Sequence, residues 1–185
     1  MAHANMLDKN KTVLVVIDFQ EAFRRSIPDF EELAANISNA VRGFDTLGIP
    51  VIVTEQYPKG LGHTAGEILS VLPSEAEVIE KTAFSSCGAL EFTEKLDELN
   101  AKQILICGLE THICVNQTAH DLLDAGFDVH ILEDAVGSRN VENKQTGLKK
   151  MQAGGAVASC VEMALFELMG DSKDRNFKAI QQIIK

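Results

Sequence analysis

The sequence predicts an open, doubly wound α/β domain, in which a six-stranded parallel sheet carries helices on both faces to make three layers. Three observations lead there. Short β-branched runs alternate with longer segments of helical period along all 185 residues. The runs are continuously apolar rather than alternating, as in "TVLVVI" and "KQILICG", which marks strands buried on both sides. Parallel strands need long crossovers, and right-handed crossovers lay helices on the two faces of one sheet.

The elements follow in order. "TVLVVID" (12–18) is a first strand that ends in an aspartate. "PDFEELAANISNAVRGFDTLG" is a helix, because Phe30, Leu33, Ile37, Val41 and Phe44 recur at threes and fours and Gly48 can close it. "PVIVTE" (50–55) is the second strand, and the Gly- and Pro-rich "QYPKGLGHTAGE" that follows is a loop. "AEVIEK" (76–81) is a short third strand, followed by a helix over about 89–100. "KQILICG" is the fourth strand, "THICVNQTAHDLLDAG" a helix closed by Gly126, and "DVHILED" the fifth strand. "NVENKQTGLKKMQAGG" is helical, "AVAS" is a small sixth strand and "CVEMALFEL" a helix. The tail "RNFKAIQQIIK" has one further apolar face, suited to a partner subunit or to its own domain.

Composition narrows the function. A chain of this length suits one domain over 1–185 with a single sizeable core. The formal charge of −10 and the absence of any basic stripe argue against nucleic acid or an anionic membrane surface as the main partner. No apolar run approaches the length of a membrane span. Cys87, Cys107, Cys114 and Cys160 lie far apart with no CxxC, so neither a disulfide scaffold nor a zinc site is expected. "MAHANMLDKNKT" has no apolar core of a signal peptide, and a reducing cytoplasm with free thiols is the expected setting.

In such folds the active site forms at the carboxyl ends of the strands, near the point where the strand order reverses. Three chemically capable residues stand there. Asp18 ends strand one, Lys81 ends strand three, and Cys114 opens the helix after strand four. Each has an ordinary explanation when taken alone: a turn-capping aspartate, a solvated lysine and a core cysteine. Together they supply a base, a cation and a nucleophile that balance one another electrostatically. A thiol in the first turn of a helix also feels the positive end of the macrodipole, which predicts a lowered thiol pKa. Cys107, inside its strand, and Cys87 and Cys160 read as structural.

Three separated blocks, "VVIDFQEAF", "EKTAFSS" and "CGLETHICVNQTAHDLLDAGFDVHILEDAVGS", resemble the signature motifs of the isochorismatase-like, or cysteine hydrolase, superfamily. They stand in that family's order, and the resemblance spans about 12–170. It implies a six-stranded parallel sheet of Rossmann type. It also implies Asp18 as general base, Lys81 as the cation that orients the base and stabilises charge, and Cys114 as nucleophile. A cis peptide is implied between Leu109 and Glu110, aiming the backbone amides of Glu110 and Cys114 into an oxyanion hole.

Two departures narrow the branch. Isochorismatases proper lack the cysteine, so Cys114 argues against isochorismate. Nicotinamidases carry a metal-binding Asp-x-His after strand two, whereas this chain reads "VTEQYPKGLGHT". Glu55 and His63 have ligand chemistry there, but the expectation is no metal and no cofactor. "TEQYPKGLGHT" and "GLETH" resemble the isochorismatase-domain-containing hydrolase branch. In the implied pocket, Tyr57, Pro58, His63 and Thr64 form the roof with Phe19, Phe23 and Phe84, and Glu110 and His112 flank the nucleophile with Thr111 beside them; capping of the helix start is the second reading of Thr111 and Glu110. Phe84 has a second reading as ordinary core. The expected function is a cysteine hydrolase that cleaves a small amide, ureide or carbamate through a Cys114 thioester, with a small-molecule substrate and a homo-oligomeric state. The alternatives are a protein that keeps the pocket without turnover, and a redox sensor using the same thiol.

Overall fold

A computed structural model describes residue 3 and residues 5–185. The N-terminal segment that lacks a signal-peptide pattern includes positions 1, 2 and 4, which lie outside the described residues.

Six strands form one parallel sheet in the order β3-β2-β1-β4-β5-β6. They are β1 (Thr12–Ile17), β2 (Val51–Gln56), β3 (Glu77–Lys81), β4 (Gln103–Leu109), β5 (Asp128–Gly137) and β6 (Val157–Ser159). Every residue of β1 and β4 is buried, as their continuous apolar runs require. The order reverses between β1 and β4, whose registers pair Val16 with Cys107 and Ile17 with Gly108. The switch point therefore opens beyond Ile17 and Leu109, at the ends that carry Asp18 and the Cys114 turn.

The helices are α1 (Phe30–Thr46), the one-turn α2 (Pro58–Leu61) and α3 (Gly66–Leu69), α4 (Leu90–Glu98), α5 (Asn116–Asp124), α6 (Val141–Ala153), α7 (Val161–Met169) and α8 (Phe177–Ile183). Two cores result, one on each face of the sheet. On the first, α1 lays Phe30, Leu33, Ile37, Val41 and Phe44 against Leu14 and Val16 of β1 and Leu105 of β4. This is the helical stripe read from the sequence, and each fully buried side chain of that size contributes about 1.5–3 kcal/mol of transfer free energy. On the second, Phe92 and Leu96 of α4, Ala119 and Leu122 of α5, and Leu148 and Met151 of α6 cover Val15, Ile17 and Ile106. The alternation of side chains along β1, even positions to one core and odd to the other, explains why both faces had to be apolar.

The structure refines four element assignments. The loop "QYPKGLGHTAGE" contains α2 and α3. β5 runs three residues beyond "DVHILED", with a register shift against β4 between Ile106 and Gly108. The small residues Ala135 and Gly137 concealed that extension. The helix expected from Thr111 opens instead with a π-turn, Thr111–Val115, before α5 begins. The tail packs on its own subunit, with Ile180 fully buried in the first core and Phe177, Ile183 and Ile184 against it. Among the described residues no helix is long and apolar enough to cross a membrane.

One glycine fixes how closely β1 and β4 meet at the site. Gly108 has φ +113°, and a Cβ there would lie 2.0 Å from the Ile17 carbonyl oxygen. Gly126 also has positive φ, yet a Cβ would meet nothing within 4 Å. Gly108→Ala is expected to destabilise by about 3 kcal/mol or more, a fall in melting temperature of roughly 6–12 °C. Gly126→Ala should cost only about 1 kcal/mol. Equal melting temperatures for the two variants would refute this assignment.

Candidate active site

Asp18 follows β1 in a left-handed conformation, φ 49°, which a non-glycine residue adopts only where its surroundings enforce it. Its backbone N–H donates to the Thr54 carbonyl at 3.0 Å. Its carboxylate accepts from Thr54 Oγ1 at 2.8 Å and from Lys81 Nζ at 2.6 Å. Both side chains of the ion pair are buried, 2% exposed for Asp18 and 0% for Lys81. Lys81 Nζ also donates to Gln56 Oε1 at 2.8 Å, the Phe84 carbonyl at 3.0 Å and the Ala83 carbonyl at 3.2 Å. A buried ammonium is tolerated only with such complete pairing.

Cys114 stands in the π-turn after β4. There Ile113 N–H and Val115 N–H both donate to the Glu110 carbonyl, at 2.9 and 3.3 Å. π-turns recur at functional sites because the extra residue in the turn redirects a side chain. Helix α6 presses on this turn: a Cβ on Gly147 would lie 3.0 Å from His112 Cα and 3.1 Å from the Thr111 carbonyl oxygen. The Cys114 turn is thus held by β4 from below and by α6 from the side.

Asp18 and Cys114 line one cavity of about 220 Å³ together with Phe23, Gln56, Leu61, Phe84, Leu109, Glu110, Ile113 and Arg139. Lys81 lies beneath it, bonded to Asp18. The three residues of the proposed chemistry therefore converge, and Phe23, Phe84 and Glu110 join them as expected. Seven expected contributors do not: Phe19, Tyr57, Pro58, His63, Thr64, Thr111 and His112. Phe19 is fully buried in the first core, stacked on Phe30 at 4.3 Å between centroids. Tyr57 turns outward to line a separate groove of about 570 Å³ with Pro58 and Leu90, which borders Lys81 but contains no nucleophile. Thr111 is buried and donates to the Gly137 carbonyl at 2.9 Å. His112 Nδ1 bonds Ser138 Oγ at 3.0 Å. The last two are spent on bracing the turn against the end of β5.

His63 also lies outside the cavity, with its side chain 76% exposed and Nδ1 3.0 Å from Glu55 Oε2. Burial opposes the ionisation of Glu55, but the backbone N–H of Thr64, His63 and Thr64 Oγ1 outweigh it and lower its pKa. His63 is raised by the same bond. Glu55, His63 and Thr64 make a latch that ties the loop after β2 to its strand. Among the described residues no group of three or more His, Cys, Asp or Glu is arranged to hold a metal ion.

Two expectations about the nucleophile need correction. The Leu109–Glu110 peptide is trans, as are all peptides among the described residues. Glu110 continues from the strand in extended conformation, φ −85° and ψ 141°, where a cis bond without proline would cost about 2.5–4 kcal/mol. The thiol pKa is not lowered. Burial first and the Asp18 carboxylate second push Cys114 up to about 12, against the pull of Lys81. A helix start loses to desolvation and a facing anion, so the resting group is a thiol beside a carboxylate.

Gln56, Leu61, Ile113 and Arg139 were not singled out in the sequence, and Leu109 was named only for its peptide bond. Gln56 directly follows "VIVTE" and Arg139 follows β5, so the strand-end rule that selects Asp18 also reaches these two. Leu61 and Ile113 carried no signal, since an apolar residue in a loop or turn reads as packing.

The architecture and site define a class: a doubly wound α/β domain with a cysteine-bearing cavity at the topological switch point, above a buried Asp–Lys pair. Within that class the chain belongs to the isochorismatase family, whose isochorismatase domain matches residues 12–163. It is 36% identical over 183 residues to isochorismatase family protein 1A of Dictyostelium discoideum, across 97% of this chain and 89% of that protein. It is 38% identical over 179 residues to isochorismatase domain-containing protein 2 of Xenopus laevis, covering 96% and 85% of the two chains. The structure of the MAR1 ribonuclease of Caenorhabditis elegans superposes with a TM-score of 0.93 at 35% identity, across 97% of this chain and 92% of that one.

The electrostatics make a test. Asp18→Asn removes the anion that raises the Cys114 pKa and leaves Lys81 facing the thiol. Alkylation of Cys114 by iodoacetamide at about pH 8 is expected to be slow in the wild type and about tenfold faster in Asp18→Asn, one pKa unit or more. Peptide mapping that finds Asp18→Asn labelled no faster than wild type would sink this account of the thiol.

Proposed function

We propose that the protein is a cysteine hydrolase acting on a small amide, ureide or carbamate. The observation that carries this reading is the buried Asp18–Lys81 pair at the base of the same cavity as Cys114. Desolvating an ion pair is expensive, and a pocket needed only for binding has no use for it next to a thiol.

The sequence of steps follows from the resting protonation. As Cys114 Sγ attacks the carbonyl carbon, its proton passes to Asp18, so the thiolate exists only as it is consumed. Lys81 offsets the charge that moves through Asp18 and the reaction centre. The oxyanion is assigned to the backbone amides of the Cys114 turn, with Cys114 N–H the donor that does not depend on the Leu109–Glu110 peptide, which is trans. Asp18 returns the proton to the leaving nitrogen, the C–N bond breaks, and a thioester remains on Sγ. Water then attacks the thioester, giving its proton to Asp18 and thence to Sγ. The scheme calls for no cofactor or metal.

The C. elegans relative is named a ribonuclease. For this chain, a formal charge of −10 and a cavity of about 220 Å³ favour a small substrate over a polyanion. All four cysteines are free, which suits a reducing compartment. Cys107 is buried in β4 with its thiol 3.7 Å from the Val15 carbonyl oxygen, a poor resolving partner for a redox sensor.

Screening small amides and ureides for released ammonia, with mass spectrometry for the acyl-enzyme, tests the reading. Cys114→Ala should form no thioester and lose about 10³-fold or more in kcat. Asp18→Asn with Cys114→Ala should be hardly worse than either single variant, because the residues act as one unit. Wild-type turnover by Cys114→Ala would exclude covalent catalysis.

A homo-oligomer is proposed as well. Phe84, in the cavity wall, and Tyr57 and Leu90, in the separate groove that borders Lys81, are 55%, 53% and 71% exposed, apolar surface suited to a second subunit. Light scattering at micromolar concentration should give at least twice the chain mass, and a monomeric mass would contradict the proposal.

A further inference from the structure

The Lys81 ammonium has three protons and four oxygens within reach, of which one is charged. Asp18 supplies the charge. Two are backbone carbonyls, Ala83 and Phe84, from the turn after β3. The fourth is Gln56 Oε1 at 2.8 Å, the one neutral side chain on this ammonium among the described residues. The amide has a fixed orientation, because its Nε2 donates to the Thr82 carbonyl at 2.8 Å and leaves Oε1 to face Lys81. Gln56 also lines the Cys114 cavity, whereas the Lys81 side chain is fully buried below it.

Gln56 is itself held by Gln20, which is fully buried. Gln20 Oε1 accepts from the Gln56 backbone N–H at 2.8 Å, and Gln20 Nε2 donates to the Gln56 carbonyl at 3.1 Å and the Gly62 carbonyl at 2.6 Å. β1 pairs with β2 no further than Ile17 and Thr54, so this side-chain amide continues the ladder where the strand has ended. The Gln20 backbone N–H donates to the Asp18 carbonyl at 2.9 Å. A ring of bonds thereby closes from Asp18 through Lys81, Gln56 and Gln20 back to Asp18. The neighbouring Glu55 is excluded from it, its carboxylate taken by Thr64 and His63. Alternation along the end of β2 sends the charged side chain away from Lys81 and the neutral one toward it.

We propose that Gln56 is a positioning residue of the reaction centre: a neutral acceptor, fixed by Gln20, that holds the Lys81 ammonium below the cavity and leaves Asp18 as its one counter-ion. The chemical roles of Asp18 and Lys81 rest on the hydrolase reading above, whereas this charge arrangement exists with or without turnover. An amide at position 56 completes the hydrogen bonds of the ammonium without adding charge. A carboxylate there would divide Lys81 between two anions. It would also add a negative charge against Cys114, which already faces Asp18, Lys81 and Glu110 and shares its cavity with Arg139.

Alkylation of Cys114 reads that charge without a substrate. Labelling by iodoacetamide is followed by peptide mapping at several pH values between about 8 and 10, in Gln56→Glu and in Gln56→Met, which has similar length and no acceptor. Both variants lose the amide, so a merely structural role gives equal labelling. Gln56→Glu is expected to label about tenfold or more slowly than Gln56→Met at each pH, one pKa unit or more. In Asp18→Asn with Gln56→Glu the carboxylate is moved rather than added. Labelling should then fall from the fast rate of Asp18→Asn to within about threefold of wild type. This double variant keeps one anion on the buried ammonium, so it serves as the test where a second anion prevents Gln56→Glu from folding, as thermal unfolding will show. Gln56→Glu labelled as fast as Gln56→Met, or the double variant labelled as fast as Asp18→Asn, overturns the proposal. Failure of the hydrolase reading, seen as a wild type that forms no acyl-enzyme, would leave these labelling rates unchanged.

Discussion

The 2.6 Å contact between Asp18 and Lys81 is the constraint around which the site is arranged. A carboxylate and an ammonium taken out of water are each costly, and removing one partner of such a pair typically costs about 3–5 kcal/mol. The fold meets that demand with Thr54, Gln56 and two carbonyls from the turn after β3. β1, β2 and β3 must end at matched heights for those groups to converge, and their parallel register delivers this by pairing Ile17 with Thr54 and Gln56 with Lys81. The left-handed backbone of Asp18 is part of the same arrangement, held by the bond from its N–H to Thr54.

The other half of the site depends on close approach rather than on charge. Gly108 lets β4 pass the Ile17 carbonyl with no room for a side chain, and Gly147 lets α6 reach the turn that carries Cys114. Between them the π-turn adds one residue to the start of the α5 helix, so the Cys114 thiol faces the cavity with Asp18. Thr111 and His112 bond the end of β5 and stabilise this placement. The thiol is then poised by its neighbours and not by a low pKa. Burial and Asp18 keep it protonated, and the proposed chemistry uses the Asp18 carboxylate in the same cavity to take that proton.

Two buried glutamates extend the same economy of pairing outward. Glu55 gathers His63 and Thr64 to close the loop after β2, and Glu110 gathers Arg139 at the end of β5. The first pair consumes its donors and makes structure. The second leaves Nη1 and Nη2 of Arg139 at the cavity wall with no hydrogen-bond partner among the described residues.

The sequence by itself determined the six strands and the sheet type, and it singled out the three residues proposed for the chemistry. These depend on local period, on apolar runs and on polar residues placed where a strand must end, all of which are written along the chain. Asp18, Lys81 and Cys114 could be selected because a charge or thiol at the end of a buried run is unusual wherever the chain then goes. Only the tertiary structure decided which side chains face the cavity. Phe19 and Phe23 are four residues apart in one segment, yet the first stacks on Phe30 in the core and the second lines the site. Arg139 enters because β5 runs past its apolar pattern and Glu110 reaches it across 29 positions of sequence. The thiol pKa was misread for the same reason. A helix start is a local feature, whereas the burial and the Asp18 charge that outweigh it exist only once β1 and β4 lie side by side.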